Sequence, residues 1–378
     1  MLPFDYQPRT RMVFGAGTLS RLGQLARELG GTRVLVVTDP GIVAAGHADR
    51  AMQVIRAEGL AGTLFDGVRE NPDANDVERC VEAARSAQTD LFVGLGGGSA
   101  MDTAKGANFI LTNGGVIADY KGIGKAASPM LPLIAVPTTA GTGSECQSFA
   151  LISDPETHMK MACGDPKAAA KVALLDPELT LSQPPRVTAC TGIDALVHAL
   201  ETSVTKKRST VSQLFSREAF RLCIHALPRV LSEPEDVEAR GRMLLGAAYA
   251  GVAIENSMLG CTHAAANPLT ARYGIVHGLA VGILAPGVLR RNMADADIAA
   301  EYLAVARHAA LESVEALLEQ FSALLPLAGL PQRLSTFGVN VEALPELARD
   351  AAAQWTGSFN PIPYSLADFE GLYREVLE

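Results

Sequence analysis

Up to about residue 183 the chain alternates short β-branched or apolar runs with helix-length amphipathic segments, and from Pro184 onward that alternation stops. Strands and helices in turn wire a parallel sheet, because a parallel neighbour is reached only through a crossover long enough to hold a helix. Candidate strands are 33–38, 91–94 and 131–137. The last two are near-continuous apolar runs, as expected of parallel strands covered on both faces. Helices are expected between them, for example over 76–86 and 100–111. Beyond Pro184 Ala/Leu-rich helical periodicity takes over, with Pro185, Pro228, Pro234, Pro286, Pro326 and Pro331 expected as punctuation. The expected organisation is an α/β domain over 1–183 and an all-helical domain over 184–378, divided at the Gln183-Pro184-Pro185 step.

Composition narrows the function classes. The 378 residues suffice for two cores, and 48% hydrophobic with 19% charged residues excludes disorder. The longest apolar stretch, near 243–254, is too short to cross a bilayer, so no membrane partner is expected. MLPFDYQPRTRMVFGAG has no basic segment followed by an apolar one, which predicts a cytoplasmic protein. A net charge of −9, with no basic cluster longer than Lys206-Lys207-Arg208, argues against a nucleic-acid partner. The six cysteines are scattered without a CxxC pair and read as reduced, mostly buried thiols.

Two loops follow candidate strands and carry the marks of a phosphate site. DLFVGLGGGSAMDTAK is a buried strand, then Gly96-Gly97-Gly98-Ser99, then a helix. Glycines let the backbone approach an anion closely, and the helix start offers free N–H groups and the positive end of its dipole, so a dinucleotide pyrophosphate fits there. A glycine cluster of this kind also makes an ordinary tight turn, and the run is not the GxGxxG fingerprint. Pro137-Thr138-Thr139-Ala140-Gly141-Thr142-Gly143-Ser144 follows the next strand with hydroxyls and exposed N–H groups at the same sheet edge. Asp39 ends RVLVVTD, where a carboxylate can accept from a ribose 2′-OH and repel a 2′-phosphate. Lys160 could add a positive charge near the cofactor; an ordinary surface lysine is the plainer reading for it and for Lys105.

Four residues of the second half suit one divalent metal ion. Asp194 and His198 lie four apart in TGIDALVHALE, on one helix face and one turn from each other. A core histidine hydrogen-bonded by an aspartate reads the same way. His263 and His277 flank CTHAAANPLTARYGIVHG, and an unbroken helix would hold them about 21 Å apart. Pro268 and Gly274 are expected to break that helix and let the chain fold back to the Asp/His face. The other histidines, His47, His158, His225 and His308, read as surface or packing residues.

Taken together, GGGSAMDTAK at 96–105, PTTAGTGSE at 137–145, DPKAAAKVALLDPELTLSQPP at 165–185, TGIDALVHALE at 191–201 and NPLTARYGIVHG at 267–278 resemble the iron-containing (group III) alcohol dehydrogenases over nearly the whole chain. The resemblance implies an α/β dinucleotide-binding domain with a parallel sheet and an all-α domain, the dehydroquinate synthase-like architecture, with metal and substrate in the cleft between them. It implies Asp194, His198, His263 and His277 as metal ligands. It implies Asn71, Gly97, Gly98, Ser99, Ala100, Met101, Asp102, Thr138, Thr139, Thr142 and Lys160 around the cofactor, with Asp39 favouring NAD over NADP. The expected activity is hydride transfer between the nicotinamide and a metal-bound short-chain alcohol or aldehyde, in a homodimer or larger assembly. Fe2+ is the family's metal, and one carboxylate with three imidazoles also suits Zn2+.

Two positions depart from the family's pattern. Asn267 stands where many members carry a histidine beside the nicotinamide, and it cannot titrate, which leaves water, a ribose hydroxyl or Thr142 for the proton. Trp355 stands where a cysteine precedes the Asn360-Pro361 pair and would narrow the substrate pocket, with a core-packing role as the alternative. Ile254, with Glu255 and Met258, makes the expected pocket mostly apolar, as a neutral substrate requires. Three other readings stay open: an NAD- and zinc-dependent lyase, for which the ligand segments offer only Arg272, a polyol dehydrogenase of the same superfamily, and a catalytically altered scaffold.

Overall fold

The computed structural model describes residues 4–156 and 159–378, so His158 lies outside the described residues. The chain forms two compact units. One comprises residues 7–139 and 143–183, and the other, among described residues, 4–6, 140–142 and 184–378.

The first unit is built on a parallel six-stranded sheet. Its strands are β1 (Arg11–Phe14), β2 (Arg33–Val37), β3 (Ala61–Phe65), β4 (Leu91–Gly96), β6 (Leu133–Pro137) and β9 (Val172–Leu175), in the order β1-β9-β6-β4-β2-β3. Alternate residues of each strand enter opposite cores, as a period of two requires. Val34 and Val36 of β2, with Val93, Ile134 and Leu174, pack on Leu22, Leu25 and Ile55. Leu35 and Val37, with Phe92 and Ala135, pack on Val77, Met101, Ala104 and Phe109. This double covering is why β4 is buried at every position and reads in sequence as an unbroken apolar run.

A smaller sheet of β5 (Gly122–Ile123), β7 (Phe149–Ser153) and β8 (Lys160–Gly164) is joined in the order β5-β8-β7. Sequence patterning did not signal it, nor β1, β3 and β9. The helix expected from Asp76 starts earlier and spans Ala74–Ser86, because Asp73 caps it: Asp76 N–H donates to Asp73 Oδ1 and Asp73 N–H to Asp76 Oδ2, both at 3.0 Å.

The second unit is helical, and no described residue after β9 lies in a strand. Several prolines expected as punctuation do not interrupt it. Pro185 does open the helix Pro185–Val204, but Pro228 lies inside Thr210–Ser232 and Pro286 inside His277–Asn292. The expected break at Pro268 is likewise absent, for Cys261–Tyr273 runs through it. A helical proline removes one N–H and crowds one carbonyl, a local cost that burial of a whole helix face outweighs. Gly274 alone ends that helix, at φ +64. Among the described residues no helix is long and apolar enough to cross a membrane, and all six cysteines are free and buried.

Candidate functional site

The strand order places a topological switch between β2 and β4, since β3 lies on one side of β2 and the later strands on the other. Ligands of open parallel sheets collect outside the carboxyl ends of such a pair. Asp39 follows β2 and Gly97 follows β4. The two loops touch: a Cβ on Gly96, which has φ +149, would stand 3.4 Å from Asp39 Oδ2 and 2.9 Å from Ala100 Cβ. Asp39 Oδ1 accepts from Ile42 N–H at 3.1 Å. The next helix, Gly98–Asn113, begins at Gly97 with no side chain capping it, which leaves its first turn to an anion. Asn71, at φ 52, donates its N–H to Ser99 Oγ at 3.3 Å. Thr138 is buried beside them, its N–H on Gly96 O at 2.9 Å, and Thr139, Gly97, Gly98 and Ser99 are half-buried. Ala100, Met101 and Asp102 are buried in the first turns of the helix, and Lys160 is half-buried at the start of β8.

Lys105 is a correction to its surface reading, for it is fully buried. Its Nζ donates to Ser144 O (2.7 Å), Ser144 Oγ (2.8 Å) and Phe149 O (2.9 Å), and Ser144 Oγ donates to Asp102 Oδ1 at 2.7 Å. Burial pushes the Asp102 carboxyl above its usual range, with Lys105 opposing, and pushes Glu145 up to about 7. A carboxylate at i−3 and apolar neighbours along Gly98–Asn113 were the sequence signs of this buried cation.

The second cluster lies wholly in the helical unit. Asp194 Oδ1 is 3.5 Å from His198 Nε2, 3.4 Å from His263 Nε2 and 3.9 Å from His277 Nε2. Asp194, His263 and His277 each offer a ligand atom within 4.8 Å of the others, and the His198 ring stacks on that of His263 at 4.7 Å. Asp194 Oδ1 and His263 Nε2 are buried without a hydrogen-bond partner, although both belong to strongly polar groups. Ligands at about 2.1 Å from one ion stand about 3.4 Å apart, and the distances from Asp194 Oδ1 to the three Nε2 atoms run from 3.4 to 3.9 Å, although the group whose ligand atoms all lie within 4.8 Å of one another does not include His198. The donor set and its orphaned atoms therefore fit a divalent cation.

The far side of each ring decides where its lone pair points. His263 Nδ1 lies 2.7 Å from Glu201 Oε2 and His198 Nδ1 lies 3.2 Å from Gly141 O. Each Nδ1 therefore carries the hydrogen, which leaves Nε2 facing Asp194. Burial alone would raise the Asp194 carboxyl, but His198, His263 and His277 hold it far below its usual range. Burial would lower His263, and the carboxylates of Glu201 and Asp194 instead lift it to about 9. Without an ion, a proton on His263 answers the buried negative charge.

Close approach of two helices brings His277 in. A Cβ on Gly278 would lie 2.0 Å from Cys190 O and 3.3 Å from Asp194 Cβ. Gly278→Ala is expected to force the helices apart at a cost of about 1–3 kcal/mol. A lowered melting temperature together with loss of bound metal on dialysis checks this. Gly141 makes a similar approach, its Cβ position 2.5 Å from Thr191 Cβ, so Ala140–Thr142 pack with the helical unit although sequence order puts them before Pro184.

A family model described as iron-containing alcohol dehydrogenase matches residues 8–177, and one described as the C-terminal part of that family matches 188–377. The chain belongs to the iron-containing alcohol dehydrogenase family. It is an oxidoreductase acting on CH–OH groups, an alcohol and aldehyde enzyme. It is 34% identical to alcohol dehydrogenase 4 of Schizosaccharomyces pombe over 97% of this chain and 87% of the relative. It is 31% identical to the NAD-dependent methanol dehydrogenase of Bacillus methanolicus, over 97% of each. The crystal structure of a 1,3-propanediol oxidoreductase superposes with a TM-score of 0.93 at 30% identity, covering 99% of this chain and all of the other. These relatives do not favour the lyase, polyol dehydrogenase or scaffold readings. Arg272, the base nearest in sequence to the ligands, is engaged with Asp350 at 2.6 Å and Glu346 at 3.0 Å.

Within this alcohol dehydrogenase the two departures from the family pattern are neighbours. Asn267 Nδ2 donates to Gln354 Oε1 at 3.0 Å, and Trp355 follows in the short turn Trp355–Phe359, edge-on to Phe359. Trp355 is 39% exposed, which removes the core-packing alternative. Ile254 is buried near the end of Val237–Ser257, half-buried Glu255 follows it, and Met258 closes that helix. Thr142 follows the carbonyl that holds His198. Sequence reasoning did not single out Glu201, although its place three residues after His198 in TGIDALVHALE is a sign on the same helix face.

Proposed function

We propose that this chain is a metal- and NAD-dependent alcohol dehydrogenase and aldehyde reductase whose cation is held by Asp194, His198, His263 and His277. The observation that carries the reading is the convergence of three imidazole Nε2 atoms on the buried Asp194 Oδ1, within 3.4 to 3.9 Å of it. Fe2+ is the proposed ion, from the family's description, with Zn2+ as the alternative that the same donors accept. Once bound, the cation supplies Lewis acidity toward an alcohol or carbonyl oxygen and the nicotinamide takes or gives a hydride.

The protein's own groups position and exclude. Gly97, Gly98 and Ser99 offer backbone N–H groups to the pyrophosphate at the uncapped helix start, with Asn71, Ala100, Met101, Asp102, Thr138, Thr139 and Lys160 around them. Asp39, beside the glycine strand end, accepts from a ribose hydroxyl and repels a 2′-phosphate, so NADH is preferred to NADPH. The name of the Bacillus methanolicus relative agrees with NAD. Asn267 cannot carry a proton, so water, a ribose hydroxyl or Thr142 Oγ1 passes it on. Ile254 and Trp355 line a pocket for a short, neutral alcohol or aldehyde. The enzyme works in the cytoplasm as a homodimer or larger assembly.

The test is NADH oxidation against a panel of short aldehydes. Metal-free protein reloaded anaerobically with Fe2+ or Zn2+ runs beside a chelator control and an NADPH arm. Turnover that requires the ion, and is at least about tenfold better with NADH, is expected; a tenfold preference needs only about 1.4 kcal/mol. Metal-independent turnover would remove the ligand assignment.

A further inference from the structure

Glu201 lies seven residues after Asp194 and three after His198, on the same face of Pro185–Val204, and is 2% exposed. Its two oxygens meet three donors, all from the start of the His263 helix. Oε2 accepts from His263 Nδ1 at 2.7 Å and Gly260 N–H at 2.8 Å, and Oε1 accepts from Thr262 N–H at 2.6 Å. That helix has no capping side chain of its own. Its opening N–H groups are instead served from elsewhere in the unit, by Glu201 and by Asn360, whose Oδ1 accepts from Cys261 N–H at 3.2 Å. The fit requires glycine, for a Cβ on Gly260 would lie 2.7 Å from Asn360 Oδ1 and 3.0 Å from Glu201 Oε1.

We propose that Glu201 is the positioning residue that sets how tightly the cation is held, acting through His263. Gripped by a carboxylate at Nδ1, the ring has one tautomer and one plane, and its Nε2 lone pair stays on the Asp194 side. The same hydrogen bond makes the imidazole a stronger donor. Outer carboxylates of this kind change metal affinity by about 10–100-fold when removed. Because Glu201 also holds the backbone on both sides of Cys261, it couples the placement of the helix start to that of the ligand. Asn360 reaches the same helix start at Cys261 N–H rather than at the His263 ring, and so separates the two roles. The proposal rests on the ligand set proposed above.

The experiment uses the full-length chain loaded with Co2+, comparing wild type, Glu201→Gln and Asn360→Ala. Three quantities are read: Co2+ affinity by competition with a chromogenic chelator, the visible ligand-field bands, and the melting of the metal-free proteins. Glu201→Gln is expected to weaken Co2+ binding about 10–100-fold and to shift the bands. Asn360→Ala is expected to lower melting while leaving affinity and bands near wild type. If Glu201→Gln yields no folded protein, Glu201→Asp, which withdraws the charge by one methylene, is expected to move both metal readouts in the same direction by less. Wild-type affinity and bands in the Glu201 variant, or an equal loss in Asn360→Ala, would overturn the role and leave Glu201 a helix cap. Wild-type protein that takes up no Co2+ would overturn the ligand set itself, and this proposal with it.

Discussion

Alanine in place of His263 is expected to abolish turnover while leaving NADH binding nearly intact. His263 Nε2 is 3.4 Å from Asp194 Oδ1, and its other nitrogen is held by Glu201. Its removal takes away one of the four proposed donors and leaves two buried carboxylates without the imidazole between them. Loss of the cation costs the transition state several kcal/mol, and about 4 kcal/mol corresponds to roughly a thousandfold in rate. The nucleotide should be nearly unaffected, because Asp39, Gly97, Gly98, Ser99, Thr138 and Thr139, which are proposed to hold it, belong to the other unit. Steady-state aldehyde reduction after metal reloading, beside a fluorescence titration with NADH, measures both halves. Unchanged turnover would remove His263 from the ligand set. Lost NADH binding would show that the two sites are not independent.

Lys105→Met is expected to strike the α/β unit instead, lowering stability by about 3–5 kcal/mol, the usual cost of removing one partner from a buried charged group. The ammonium is fully buried and serves three oxygens, and Asp102 lies 3.9 Å away. Methionine fills the volume but leaves Ser144 O and Phe149 O without this donor, at about 1–3 kcal/mol for each buried acceptor left unsatisfied. For a unit of this size, each kcal/mol moves the midpoint by about 2–4 °C, so a drop near 10 °C is expected in a thermal melt. NADH affinity should fall with it, since Lys105 ties the helix of the glycine loop to the turn after Thr142. A variant that melts with the wild type would show that the buried network is not needed for stability.

The parallel sheet was legible because its strands are covered on both faces, which leaves apolar runs such as Leu91–Gly96 with little else to be. The edge strands β1 and β3, the small sheet and β9 were not, and β9, though buried throughout, is only four residues long. Arg11–Phe14 has one buried residue in four, β5 has two residues, and neither contains a run long enough to show a period. Spacing was enough to place Asp194 and His198 together, because one helical turn is local geometry. It was not enough for Pro268. The residue's local tendency is to end a helix, and only the packing of Cys261–Tyr273 against its neighbours decides otherwise.

Lys105 misled for a related reason. An isolated lysine is normally solvated, and the three oxygens that make its burial affordable come from 39 and 44 residues away. Glu201 stood in plain view inside TGIDALVHALE, but its partners lie 59 to 62 residues further on.

The amino-acid sequence by itself determined the class of each unit, the uncapped glycine turn after a buried strand and the helix face that carries Asp194 and His198. Those features follow from periods of two and 3.6 residues and from glycine's freedom, which act over a few residues. Only the tertiary structure decided that His263 and His277 reach that face, that Glu201 and Gly141 turn the rings, and that Ala140–Thr142 pack with the helices. These depend on close approach at Gly278 and Gly141, where the absence of a side chain matters only once a distant carbonyl or threonine has been brought against it.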